Sequence, residues 1–184
     1  MYGLINKAVQ GYLVQAYGQD QWDQIAETAG IYPGGFISLE TYPDEITYSL
    51  VTRASAILSI PAERLLEKLG EYWIEYVAEE GYGEYFVCYD QDMVRFLQEL
   101  NAMHERMMLI HPQMLIPKFQ IQKISAGNYE LHYFSTRQGL APFVKGLLLG
   151  LSRKLNQAAD IEHIGGCSDS AGVHEIYRIS LLTA

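Results

Sequence analysis

The chain has 184 residues, of which 49% are hydrophobic and 19% charged, a globular composition and not a disordered or fibrous one. Its net charge of −9 opposes binding to nucleic acid or to an anionic membrane surface. Two cysteines in no paired motif favour a reducing compartment. The opening segment lacks a basic stretch followed by an unbroken apolar core, and the longest apolar run, GLLLGL, is too short to span a bilayer. The expectation is a cytoplasmic protein.

In chain order, residues 2–17 place Leu4, Ile5, Ala8, Val9, Tyr12, Leu13 and Ala16 at helical spacing, with Gly18 as a stop. DQWDQIAETAG reads as a second short helix ending at Gly30, and IYPGGF as a turn-rich loop. PDEITYSLVTRASAILS and PAERLLEKLGEYWIEYVAEEG each read as a helix opened by proline and acids. In the second, Pro61 stands at the first helical position and Gly81 past the end. DQDMVRFLQELNAMHERMMLIHP is the longest amphipathic helix, with Val94, Leu97, Leu100, Met107 and Met108 as its stripe and Pro112 as its stop. After Pro117 the period changes to two. KFQIQKIS and NYELHYFS read as strands joined by a hairpin-like link, GLAPFVKGLLLGLSRKLNQ as a helix, and DIEHIGGC and HEIYRISLL as two final strands. The fold class is therefore α+β: a helical N-terminal part followed by a mixed part with a four-stranded antiparallel sheet and helices.

Two features carry chemistry. His104 falls on the apolar stripe of the long helix, one turn after Leu100 and one turn before Met107 and Met108. A neutral imidazole among Leu and Met suits a haem iron, and equally an ordinary core histidine. Tyr133, Ser135 and Arg137 alternate along a strand, so the pattern puts a phenol, a hydroxyl and a guanidinium on one face. Three donors, one permanently charged, suit an anion; a solvated strand face is the other reading. Haem carries two carboxylates, which a Tyr/Ser/Arg set would match.

On these residues the chain resembles the H-NOX domains, the haem nitric oxide/oxygen-binding family that includes the haem domain of soluble guanylate cyclase. The Tyr-x-Ser-x-Arg motif stands as Tyr133-Phe134-Ser135-Thr136-Arg137, the proximal histidine matches His104 in LNAMHERM, and the haem-bending proline matches Pro117 in LIPKF. MYGLINKAVQ, GEYWIEYVAEEGYGE and GLAPFVKGLLLGL are also similar, the last two most to cyanobacterial members. The resemblance runs over nearly the whole chain. It implies one haem-binding domain over 1–184, helical to about 60 and mixed from about 61, with haem b between the two parts. It further implies a sensor and not an enzyme: a gas binds opposite His104, and a partner on another chain, such as a histidine kinase or nucleotide cyclase, reads the result. Aligning the helix after the motif through Gly146 puts Phe143 where oxygen-binding members carry a tyrosine. Ile5, Val77 and Leu147 complete an apolar pocket, and Trp73 matches a further pocket position. With no donor but Trp73, the expected ligands are nitric oxide and carbon monoxide, with little oxygen affinity.

The rival readings are a peroxidase-like or nitric oxide-consuming haem enzyme, an oxygen-binding H-NOX domain using Trp73 as donor, and a haem-free module that binds a small anion through Arg137. No distal acid/base can be assigned for the first. His163, Cys167 and His174 match no zinc spacing and straddle an expected turn. No phosphate-binding glycine motif stands up.

Overall fold

The computed structural model describes residues 1–31 and 35–182, with Tyr85 described for its backbone only. The loop expected at IYPGGF lies mostly outside these residues. Helices α1 (Gly3–Tyr17), α2 (Gln19–Thr28) and α3 (Asp44–Leu58) precede α4 (Ala62–Val77). Pro43 and Pro61 are the cap residues of α3 and α4, one position earlier than a first-turn proline, with extended ψ of 138° and 135°. The fixed φ of proline directs the chain into the helix from either position.

Helix α4 ends at Val77, before Gly81 as its sequence suggests. A π-helical turn over Ala78–Tyr82 follows it and, kinked at Gly81, leads into the short helix α5 (Gly83–Val87). Gly81 sits inside that turn at φ 105°, a backbone state glycine enters without strain. The helix stop and the π turn need the same residue type, so the sequence does not separate them.

Helix α6 (Met93–Ile110) opens where Asp92 Oδ1 accepts a hydrogen bond from Arg95 N at 3.0 Å. Its inward residues are Met93, Phe96 and Leu97, followed by Leu100 and His104. The fully buried face is thus rotated slightly from the expected stripe at its start, since Met93 and Phe96 are buried where Val94 is half-buried; Leu100, His104, Met107 and Met108 are all half-buried. Strands β1 (Lys118–Ser125), β2 (Asn128–Ser135), β3 (Ala159–Asp169) and β4 (Gly172–Leu181), with α7 (Ala141–Lys154) between β2 and β3, complete the chain. The sheet order is β1-β2-β4-β3, every pair antiparallel. The α+β class expected from the sequence is the one observed.

Two apolar cores result. One joins α1, α2 and α3 to Leu65 and Leu69 of α4. The other joins the odd-numbered sheet residues Phe119, Leu131, Tyr133, Tyr177 and Ile179 to α6, α7 and Ile74 of α4. Helix α4 is therefore common to both cores, and α7 lies against it through Gly146 and Gly150. Among the described residues no helix is long and apolar enough to cross a membrane.

Candidate functional site

His104 faces the sheet core from the penultimate turn of α6. Its Nδ1 is buried and has no hydrogen-bond partner. Burial lowers the imidazole pKa from its usual value, and the Pro117 carbonyl pulls partly the other way. The ring is held neutral, with a lone pair available, in a setting where an unpaired polar atom is costly. This is the state an iron requires of its ligand, and the donor set fits a haem. Phe119 lies next along, its ring 6.1 Å from that of His104, and Tyr133 follows at 5.4 Å from Phe119.

Asn101, one turn before His104, fixes the helix to the sheet. Its amide Nδ2 donates to the Phe119 carbonyl, and its Oδ1 accepts from Phe119 N at 3.0 Å. Pro117 stands in the connection, one residue before β1. Helix α6 has already ended seven residues earlier, so Pro117 is not a helix-exit proline. Nothing in the sequence pattern marks Asn101, beyond its being a weak helix former in a helix interior.

The alternation that placed Tyr133, Ser135 and Arg137 on one face holds only for the first two. Strand β2 ends at Ser135, and Arg137 lies in the turn beyond. That turn is closed by Arg137 N donating to Ser135 Oγ at 3.0 Å. Burial pushes the Tyr133 phenol up, while the Ser135 hydroxyl and the Arg137 charge act on it in the opposite sense. The three side chains are brought together, by a strand end and a turn.

Arg137 is engaged by a residue the sequence offered only as a helix-opening acid. Its Nε donates to Asp44 Oδ2 at 2.7 Å, Nη2 to Asp44 Oδ1 at 3.3 Å, and Nη1 to the Leu115 carbonyl at 2.7 Å. Two of the five guanidinium N–H groups remain for another anion. An open cavity of about 570 Å³ lies beside it, lined by Asp44, Glu45, Tyr48, Thr136, Arg137 and Gln138 among others. The Tyr48 hydroxyl donates to the Gln138 carbonyl at 2.9 Å and closes the same seam.

Burial raises the Asp44 pKa, but hydrogen bonds from Arg137 and from the Met1 ammonium, 2.5 Å away, outweigh it and hold the carboxyl below its usual range. A group with a lowered folded pKa stabilises the fold above its unfolded pKa and stops doing so as pH falls through the folded one. Asp44→Asn is therefore expected to lower stability at pH 7 by about 1–3 kcal/mol, the range for charge-assisted bonds. The difference from wild type should shrink as pH falls from 7 through the lowered folded pKa of Asp44. Urea melts over a descending pH series check this; a deficit that stays constant down the series would remove the charge from the explanation.

Of the expected pocket residues, Trp73, Val77 and Leu147 are half-buried against the core that holds Tyr133. Phe143 packs against the other core. Ile5 is half-buried on α1 and belongs to neither. Trp73 also meets Tyr76, ring centroids 6.2 Å apart. His163 is bonded to Glu175 at 2.7 Å, and His174 to His132.

A family model described as haem-NO-binding matches residues 2–163. Soluble guanylate cyclases gcy-32 and gcy-37 of Caenorhabditis elegans are 28% and 29% identical to the chain over 158 residues. These cover 84% of this chain and 23% and 22% of theirs. Soluble guanylate cyclase 89Db of Drosophila melanogaster is 21% identical over 154 residues, which cover 84% of this chain and 23% of its own. The chain spans less than a quarter of the length of these relatives. Among solved structures, a Cs H-NOX mutant carrying 4-cyano-L-phenylalanine at site 5 superposes with a TM-score of 0.90 at 18% identity, covering 100% of this chain and 97% of that one. An oxygen-binding H-NOX domain related to soluble guanylate cyclases, in its oxygen complex, gives 0.85 at 18% identity, covering 100% and 96%. At these identities the structural likeness is one of fold. The family model, which covers most of the chain and takes in His104, Pro117 and the Tyr-x-Ser-x-Arg motif, places the chain in the haem-NO-binding (H-NOX) family of haem b-binding gas-sensor domains.

Proposed function

We propose that residues 1–184 act as one haem unit that senses nitric oxide, also binds carbon monoxide, and carries no catalytic activity of its own. His104 would hold the haem iron in this reading, and its buried, neutral, unpaired ring nitrogen is the observation that carries it. Haem would supply, when bound, an iron able to ligate a diatomic gas. Tyr133, Ser135 and the free N–H groups of Arg137 would take the haem carboxylates. Asp44 then positions Arg137 and neutralises part of its charge. Pro117 offers a rigid ring and no amide donor, so it would pack against a bound haem without hydrogen-bonding to it.

Helix α6 is the element whose position reports ligation. It is tied at Asn101 to the backbone of β1, and His104 would add a second tie with haem bound. Loss of that second tie would leave Asn101 as a pivot, which makes the end of α6 a two-state element for a partner to read. A histidine kinase or a nucleotide cyclase on another cytoplasmic chain is the partner class proposed.

Selectivity follows from the distal side chains. Bound oxygen is stabilised by a hydrogen-bond donor, whereas nitric oxide needs one much less. Phe143, Ile5, Val77 and Leu147 cannot donate; Trp73 can. The ferrous protein is expected to bind nitric oxide and carbon monoxide and to form no stable oxygen complex in air, as read from its absorption spectrum. A stable oxygen complex that Trp73→Phe abolishes would overturn the proposed selectivity and make Trp73 the donor.

A further inference from the structure

The face of the sheet that carries Tyr133 also carries a carboxylate the haem site does not use. Glu175 of β4 is the cross-strand partner of Tyr133, so the two side chains leave the sheet on the same face. Residues directly opposed in this way have Cβ atoms about 4.5–5.5 Å apart. The Glu175 charge reaches the Tyr133 phenol, where it acts against the charge of Arg137. A carboxylate sits poorly in a site that gathers donors for carboxylates, since like charges repel at this range.

The fold turns this carboxylate aside. Glu175 leans over β3, where His163 Nε2 donates to its Oε2 at 2.7 Å. An ionised carboxylate only accepts, so the imidazole is the donor. The register of β3 shifts between His163 and Gly165, a bulge that holds Gly165 at φ 147°. Gly166, which pairs with Glu175, leaves the space that the carboxylate fills. A Cβ there would overlap Glu175 Oε2 and lie 2.7 Å from the His174 carbonyl oxygen. His163 is seated on Tyr177, ring centroids 5.1 Å apart, and the Tyr177 hydroxyl donates at 3.0 Å to the Ala141 carbonyl at the start of α7. The Glu175 side chain is only 17% exposed, so packing and His163 set its place.

We propose that Glu175 belongs to the carboxylate site as a charge that weakens it, and that His163 is the positioning residue that holds this charge back. The inference rests on the reading of Tyr133, Ser135 and Arg137 as the clamp for the haem carboxylates. Held by His163, Glu175 stands over β3 and spends one lone pair on the donated N–H. Released, it can turn back across its own strand to the Tyr133 side and there repel the carboxylate that Arg137 attracts. Carboxylate retention is thus tuned from β3, outside the clamp itself.

The test is the rate at which the haem-loaded full chain gives up haem to an excess of scavenging apoglobin, followed by absorption. Affinity differences between variants of one site fall mostly on dissociation. His163→Leu should lose haem roughly fivefold faster than wild type, the upper end for a partly exposed charge contact. His163→Gln keeps a donor and should stay near the wild-type rate. His163→Leu combined with Glu175→Gln should return to the wild-type rate or below it, because the repelling charge is gone. A double variant as fast as His163→Leu would mean that only packing on Tyr177 was lost, and would overturn the proposal. So would a wild-type rate in His163→Leu, or a His163→Gln as fast as His163→Leu. Arg137→Ala tests the underlying reading: unchanged haem loss there would remove the clamp and this inference with it. Fast loss in Arg137→Ala beside wild-type loss in His163→Leu would overturn this inference alone.

Discussion

His104→Gly is expected to abolish the histidine-ligated haem spectrum, and added imidazole is expected to restore part of it. Glycine leaves a ring-sized space on the core face of α6, where the surroundings relax only partly and a free imidazole can enter. The helix itself loses roughly 1 kcal/mol from glycine in its interior, which does not unfold a domain of ordinary stability. Iron–histidine stretching in the resonance Raman spectrum is the direct reading, because it is absent without a nitrogen ligand from the protein. The competing ligand is His111, which caps the C-terminus of α6 and meets Tyr2 edge-on at 5.9 Å. An unchanged iron–histidine band in His104→Gly would transfer the assignment to it.

How much of this site the sequence carries depends on how local each part is. His104 is legible because helical periodicity is local: Leu100 and His104 share a face by spacing alone. Tyr133 and Ser135 are legible for the same reason at period two. Arg137 is misplaced by that rule, because nothing in FSTRQG says where the ladder ends; the end is set by pairing, whose last β2 partner is Val173 of β4. Asp44 is invisible as a partner of Arg137. The two stand 93 residues apart, and an aspartate opening a helix has a sufficient local explanation in the helix dipole. Asn101 is hidden in the opposite way, since its partners are backbone atoms of Phe119, which carry no side-chain signature. The π turn at Ala78–Tyr82 shows the same limit for the fold: Gly81 signals a left-handed residue but not whether the helix resumes beyond it.

The glycines between α4 and α7 are the reverse case, features with no chemistry whose replacement should have a large effect. On an exposed helix, Gly→Ala is stabilising by about 1 kcal/mol, because alanine has less backbone freedom to lose. At Gly146 that gain meets a wall. A Cβ there would lie 1.9 Å from the Glu67 carbonyl oxygen, 2.8 Å from its carbon and 3.0 Å from Glu71 N. All three are backbone atoms of α4, so no rotamer change relieves the contact and the helices must move apart. Overpacking of this kind costs about 1–3 kcal/mol and occasionally more, and a clash against rigid backbone belongs at the upper end. Gly146→Ala is therefore expected to lose about 3 kcal/mol in denaturant melts. Gly150→Ala should lose less, since its nearest contact, the Glu71 backbone oxygen, stands at 2.8 Å and not 1.9 Å, and the next, the Ile74 side chain at 3.1 Å, can turn. Because α4 carries Trp73 and Val77 while α7 carries Phe143 and Leu147, separating the two helices also opens the proposed gas pocket. Gas dissociation should quicken in Gly146→Ala even at temperatures where it remains folded. Wild-type stability in Gly146→Ala would mean that α4 and α7 can slide apart freely, and would remove the close crossing as the device that fixes the pocket.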